Sequence, residues 1–154
     1  KLILKLLPDR SLSLALVGKR RDSFSELARF LKIEGLENIV ELIEEVKDVP
    51  GFLRQFHIGV LSSNQEGMSN SIMEYMSVGL PVIASDIPSN RELLGENYPF
   101  LFKPGSPESL SEKLMAIISE ENLRTKTGAE NHQRVISNFT IDQMGKKYLE
   151  IIEG

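Results

Sequence analysis

The chain has 154 residues, a formal net charge of −4 at pH 7, and 41% hydrophobic against 26% charged residues. This length fits one globular domain, and the acidic balance argues against a protein that binds nucleic acid through its net charge. The sequence holds no cysteine, which excludes disulfides and thiolate metal sites, and no apolar run approaches the roughly 18 residues of a membrane-spanning helix.

The first residues, Lys1 to Leu7, form a short apolar pattern without an initiator Met. They carry no small-residue cleavage site, so they do not fit a signal peptide. We expect them to be the end of an element that begins earlier, and the chain to be a fragment of a longer protein.

Apolar runs alternate with helical patterns along the whole chain. In chain order, the predicted elements are strand 12–17, a helix behind Ser23, strand 38–43, a short helix around Pro50, strand 57–61, helix 69–78 ending at Gly79, strands 81–84 and 98–102, and three helices starting at Ser106, Leu123 and Thr140.

This alternation predicts the α/β class, with a parallel sheet and helices on both of its faces. The strands are continuous apolar runs, as burial from both sides requires. In such sheets, ligands bind beyond the carboxyl ends of the strands. The expected binding rim therefore consists of residues 18–22, 44–48, 62–69 and 85–90.

One part of this rim carries two carboxylates eight positions apart, Glu66 in a loop and Glu74 near the first turn of the following helix. Carboxylates accept hydrogen bonds in pairs and suit vicinal sugar hydroxyls. Between them, the amides of residues 68–71 at the helix N-terminus favour an anion, and Gly67 allows close approach of the backbone. A ligand with hydroxyls at both ends and phosphates in the middle, such as a nucleotide diphosphate sugar, fits this pattern.

The segment from Glu66 to Asp86 resembles the E-x7-E motif of the retaining GT-B glycosyltransferases known as glycosyltransferase group 1. Glu66 and Glu74 match its two glutamates, and Gly79-Leu80-Pro81-Val82 matches the usual continuation. The likeness covers nearly the whole chain. It implies a Rossmann-like donor domain over residues 1–154, one half of a two-domain architecture whose first strand and N-terminal acceptor domain are absent.

The resemblance also implies roles for single residues. Glu74 would bind the ribose, Glu66 would bind the donor sugar as the catalytic-site residue, and backbone near Glu45 and Val46 would contact the base. The predicted substrate-binding residues are Gly18, Lys19, Glu45, Val46, Glu66, Gly67, Met68, Ser69, Asn70, Ser71 and Glu74. No cofactor and no metal are expected. The acceptor, a saccharide or lipid, would bind the absent N-terminal domain, which would also make any peripheral membrane contact of a cytoplasmic enzyme.

Some features depart from the family pattern. The usual Arg and Lys pair would precede this chain. The run Lys19-Arg20-Arg21 is either a solvated loop or a means of steering the diphosphate. Pro88-Ser89 replaces a common Gly-Gly, and Tyr75 stands where Ala is common. Asn90 and Glu92 are expected either to brace the short helix after Pro88 or to contact the ligand.

Three alternative hypotheses fit the sequence less well than a donor domain. The chain fits a degenerate transferase domain that serves only as a scaffold, and less well a nucleotide-sugar epimerase of similar architecture. A receiver-like binding module would need an acidic cluster at one strand end, whereas the strands here end at Gly18, Ser62 and Ser85-Asp86.

Overall fold

The computed structural model describes residues 2–6, 12–18, 23–65, 67–140, 143 and 145. The chain forms two compact units, an N-terminal unit over Lys1–Val49 and a C-terminal unit over Pro50–Gly154. Among the described residues, helices and strands alternate as predicted and every strand pair is parallel.

The N-terminal unit contains one parallel strand pair. Its elements are α1 (Leu2–Leu6), β1 (Leu14–Val17), α2 (Ser23–Ile33) and β2 (Val40–Ile43). Leu14 lies opposite Val40, and Val17 lies opposite Ile43. The side chains of Leu14 and Val17 are 43% and 52% exposed. The prediction that this strand is buried on both faces is therefore wrong, and its only strand neighbour within the described residues is β2.

The C-terminal unit is built on a three-stranded parallel sheet in the order β3-β4-β5. Its elements are α3 (Val49–Leu53, beginning at the last residue of the N-terminal unit), β3 (Gly59–Leu61), α4 (Asn70–Ser77), β4 (Val82–Ser85), α5 (Pro88–Leu94), β5 (Leu101–Phe102), α6 (Pro107–Ser119) and α7 (Glu121–Asn138). The helix predicted from Thr140 lies mostly outside the described residues.

Strand β4 is the centre of this unit, and all four of its residues are completely buried. Because side chains alternate along a strand, Val82 and Ala84 point to one face and Ile83 to the other. The first face packs with residues of α4, α5 and α7, among them Met76, and the second with Phe102 and with residues of α6. This burial confirms the prediction of a sheet covered on both sides.

Helix α4 ends as predicted at Gly79, which has a φ of +77°. The Gly79 amide donates to Met76 and the Leu80 amide donates to Tyr75, which together satisfy the last carbonyls of the helix. Tyr75 itself lies over β3. A Cβ atom at Gly59 would come within 2.5 Å of the Tyr75 ring, so Gly59 provides the space that the unusual Tyr requires.

Helix α7 crosses close to the turn that joins α4 to β4. The carbonyl oxygen of Gly79 lies only 2.0 Å from the position of a Cβ on Gly128. One turn further on, the buried Asn131 donates to the Leu80 carbonyl at 3.0 Å and to the Tyr98 hydroxyl at 3.1 Å. Long-range contacts between the helix and this turn therefore position the start of β4.

Candidate functional site

The loop between β3 and α4 presents the first turn of α4 at the carboxyl end of the sheet. Ser69 is the N-cap: its backbone is extended, and its buried side chain accepts a hydrogen bond from the Ile72 amide at 3.3 Å. This is the geometry in which serine favours helix initiation. Helix α4 therefore starts at Asn70.

The amides of Asn70 and Ser71 have no carbonyl one turn earlier within the helix. Capping by Ser69 satisfies Ile72, and the Met73 amide bonds to the Ser69 carbonyl at 3.2 Å. The amides of Asn70 and Ser71 lie at the positive end of the helix dipole. The first turn of α4 can therefore offer two N–H groups to an anion.

Glu74 is the fifth residue of α4 and lies in its second turn, since Ser69 is the cap and Asn70 is the first helical residue. Its side chain is exposed, and no ion pair or side-chain hydrogen bond joins it to another described residue. Residues four apart share a helix face, and side chains lean towards the helix N-terminus. Glu74 therefore lies on the same face of α4 as Asn70. Glu66 lies outside the described residues.

An open cleft of about 510 Å³ lies between the loop after β3 and the start of α5. Its lining residues are Asn64, Gln65, Gly67, Ile87, Pro88, Ser89 and Glu92. Pro88 occupies the first position of α5, where its missing amide hydrogen costs nothing and its fixed φ suits the helix. The cleft therefore combines amide, hydroxyl and carboxylate groups with the apolar faces of Ile87 and Pro88.

A chain of hydrogen bonds joins the two walls of the cleft. The Ser85 hydroxyl at the end of β4 donates to the Ser63 carbonyl in the loop. The Asn90 side chain of α5 donates to the Ser85 carbonyl at 2.8 Å and to its hydroxyl at 3.3 Å. Asn90 therefore braces the helix, one of the two roles expected for it. Sequence reasoning placed Ser63 and Ser85 on the rim but missed the bond between them, since pairing across 22 residues leaves no local signal.

Asp86 and Arg91 form a two-bond ion pair beside α5. Arg91 Nε lies 2.6 Å from Asp86 Oδ1, and its terminal nitrogen lies 2.8 Å from Oδ2. The hydrogen bond from Arg91 lowers the pKa of Asp86 below its usual value, against a smaller opposing effect of burial. The pair holds the segment that leads from β4 into α5.

This lowered pKa predicts a pH dependence of stability. Because the carboxyl of Asp86 binds protons more weakly when folded, it stabilises the fold above its unfolded pKa of about 3.9. That contribution is lost as the pH falls through the lower folded value. We expect urea unfolding between about pH 5 and about pH 2 to show a steeper loss of stability for the wild type than for Asp86→Asn.

The effect is modest, because the two side chains are 33% and 42% exposed and solvent screens the pair. The matched control is Glu112→Gln, which changes an exposed carboxylate in the body of α6. Parallel pH profiles for the wild type and Asp86→Asn would contradict this account of the pair.

Three residues predicted to bind substrate lie in the N-terminal unit, at the carboxyl ends of its two strands. Gly18 follows β1, and Glu45 and Val46 follow β2. The Gly18 amide donates to the Ile43 carbonyl at 3.0 Å, so this N–H is already used within the unit. Glu45 is exposed and Val46 is half-buried. Lys19 lies outside the described residues.

The described residues provide neither a metal site nor a membrane-spanning helix. They contain no group of three or more His, Asp or Glu side chains arranged to hold a metal ion. None of the helices in the described part of the chain combines the length and apolar character needed to cross a bilayer.

Residues 1–120 match the model of a family described as glycosyl transferases group 1. The chain is 26% identical over 137 residues to LpsE of Rhizobium meliloti, a lipopolysaccharide core biosynthesis glycosyltransferase, and the alignment covers 88% of this chain and 39% of LpsE. It is also 26% identical to CapM of Staphylococcus aureus, a capsular polysaccharide biosynthesis glycosyltransferase, over 75% of this chain and 32% of CapM. The chain thus spans about two fifths or less of the length of these relatives.

Solved structures show the same fold. The C-terminal domain of LpcC, a glycosyl transferase group 1 family protein from Francisella tularensis, has a TM-score of 0.77 at 25% identity, covering 91% of this chain and 75% of that one. HepE of Anabaena in complex with UDP has a TM-score of 0.86 at 21% identity, covering 99% of this chain and 44% of HepE. These similarities confirm the predicted Rossmann-like α/β class.

Proposed function

The chain belongs to the group 1 glycosyltransferases of GT-B architecture, and from this membership we propose that it binds the nucleotide diphosphate sugar of a glycosyltransferase. In this role the chain holds the donor while a separate acceptor domain holds the saccharide or lipid that receives the sugar. The reaction would retain the configuration at the anomeric carbon and proceed without a metal or cofactor.

The observation that carries the proposal is the first turn of α4. Two amides without intrahelical acceptors lie at the positive helix end, and Glu74 lies one turn further along, on the helix face of Asn70. A diphosphate suits the amides, because helix N-termini bind phosphate groups, and ribose hydroxyls suit the carboxylate. HepE, whose fold is similar, was solved with UDP, which supports this choice of ligand.

The remaining residues receive their proposed roles from the family resemblance. Glu66 would accept hydrogen bonds from the donor sugar in the reacting centre, with Gly67 and Met68 in the turn that approaches it. Backbone near Glu45 and Val46 would contact the base. Gly18 and Lys19 would also bind the nucleotide sugar. The protein would act by positioning the donor and stabilising the charge that develops on the leaving diphosphate.

The partners and location of the whole protein are proposals of the same kind. The polysaccharide-building relatives LpsE and CapM support a saccharide or lipid acceptor. Cytoplasmic residence follows from the donor, since activated sugars are made there, and any contact with the membrane surface would involve the acceptor domain.

Isothermal titration calorimetry of the chain with UDP, GDP, ADP and their glucose conjugates tests the proposal. We expect saturable binding of one nucleotide series, weakened about ten- to a hundredfold by Glu74→Ala, because a hydrogen bond to a charged group is lost. The matched control is Glu112→Ala, which removes an exposed carboxylate from α6 and should leave affinity unchanged.

Two results would contradict the proposal. One is a folded chain that binds none of these nucleotides, which would favour the scaffold alternative. The other is saturable binding to which Glu74 and Glu112 contribute equally, because that would place the ligand away from α4.

A further inference from the structure

The loop from Ser63 to Ser69 leads from β3 to the first turn of α4 and is fastened at its two ends. At its end, Ser69 is buried and caps the helix through the Ile72 amide. At its start, the Ser63 carbonyl accepts a hydrogen bond from Ser85. Between them, Asn64, Gln65, Gly67 and Met68 are exposed and make no hydrogen bond to another described residue. The Ser85 hydroxyl therefore holds the entry to the loop.

Ser85 is itself held in place. It is completely buried at the end of β4, and Asn90, also completely buried, binds both its carbonyl and its hydroxyl. The Asn90 amide must face Ser85 with its nitrogen, because a carbonyl only accepts hydrogen bonds. The Ser85 hydroxyl oxygen accepts a hydrogen bond from Asn90, so its own hydrogen points to the Ser63 carbonyl.

Asn90 adds less to stability than its two hydrogen bonds suggest. Its Oδ1 atom is buried, and no described residue donates to it. A buried acceptor without a donor destabilises the fold by a free energy similar to the one that a hydrogen bond contributes. The effect of this side chain therefore lies mainly in the geometry it imposes on Ser85.

We propose that Ser85, oriented by Asn90, is a positioning residue for donor binding: its hydroxyl holds the loop after β3 so that the first-turn amides of α4 meet the diphosphate. This inference rests on the proposed function. The chain from Ser63 through Ser85 to Asn90 also joins the two walls of the cleft, so it fixes the distance between the loop and α5. A loop that must be ordered on binding weakens affinity, and a loop already ordered does not.

The test compares Ser85→Ala and Ser85→Thr with the wild-type chain. Calorimetry gives the Kd for UDP, and ¹⁵N relaxation dispersion without ligand gives the conformational exchange of amides 64–68. For Ser85→Ala, we expect a Kd about five- to tenfold higher and greater conformational exchange in the loop, because one hydrogen bond is lost. Ser85→Thr keeps the hydroxyl and should retain both wild-type values.

The matched control is Ser111→Ala on α6, where a buried serine hydroxyl has no hydrogen-bond partner among the described residues. This variant should leave both the Kd and loop exchange unchanged. A Ser85→Ala protein that melts at lower temperature but keeps the wild-type Kd and loop exchange would overturn the proposal, because the hydroxyl would then serve stability alone.

Failure of the proposed function gives a different result. A wild-type chain that binds no UDP overturns the proposed function and, with it, the link between Ser85 and the diphosphate. The exchange data still decide whether the hydroxyl holds the loop. A different result overturns only the positioning role of Ser85. In that result, the wild type binds UDP, Glu74→Ala weakens the binding, and Ser85→Ala binds as tightly as the wild type.

Discussion

Replacing Gly128 by Ala is expected to destabilise the chain by about 3 kcal/mol or more, although alanine is the better helix former. The new Cβ would lie 2.0 Å from the Gly79 carbonyl oxygen and 3.1 Å from its carbonyl carbon. Both are backbone atoms, which no side-chain rotation can move away. Helix α7 would have to shift away from the turn before β4 and disturb the hydrogen bonds of Asn131.

Chemical unfolding of Gly128→Ala beside Ala129→Gly measures this effect. Ala129 is the exposed neighbour of Gly128 on the same helix. Intrinsic helix preference alone predicts a gain of about 1 kcal/mol for the first change and a similar loss for the second. The close contact predicts that both changes destabilise and that the first costs more. A more stable Gly128→Ala protein would show that the two backbones do not approach so closely.

Tyr98→Phe is expected to cost about 2–3 kcal/mol, because one hydroxyl serves three groups. It donates to the Val82 carbonyl at 2.9 Å, and accepts from the Val82 amide at 3.1 Å and from Asn131 at 3.1 Å. The change leaves these groups without that partner at the start of the central strand. Burial raises the pKa of Tyr98, so the hydroxyl stays protonated and able to donate at neutral pH.

A double-mutant cycle with Asn131→Ala tests whether the network acts as a unit. Urea unfolding of both single variants and the double variant should give a combined loss about 1 kcal/mol smaller than the sum, because the two side chains share a hydrogen bond. Additive losses would indicate two separate effects. A cost for Tyr98→Phe below about 0.5 kcal/mol would contradict the network itself.

Local sequence signals predicted much of the C-terminal unit. Gly79 marked the end of α4, because a left-handed residue after a helix is most often glycine, and its φ is +77°. The apolar run that ends at Ala84 indicated a strand buried on both faces, and β4 has that burial. In both cases a few neighbouring residues carry the physical cause.

The remaining features depend on residues far apart in the sequence. Helix α7 has a polar sequence, and nothing near Asn131 indicates that it is buried against Leu80, 51 positions earlier. The pairing of Ser85 with Ser63 spans 22 positions.

The candidate site could be predicted in part. The structure brings Ser69, Asn70, Ser71 and Glu74 together around the start of α4, as the helix-start pattern indicated. It also shows that the Gly18 amide is already used in the pairing of β1 with β2. The roles of Glu66 and Lys19 remain predictions from the sequence, because both lie outside the described residues.

The central claim is that the amides of Asn70 and Ser71, which have no acceptor among the described residues, bind a diphosphate. Titration of the ¹⁵N-labelled chain with UDP and with uridine, followed by amide chemical shifts, tests it most directly. We predict that UDP produces large, saturable shifts at Asn70 and Ser71, and that uridine, which lacks phosphates, leaves these two amides unmoved. Saturable UDP binding with no change at Asn70 and Ser71 would contradict the claim.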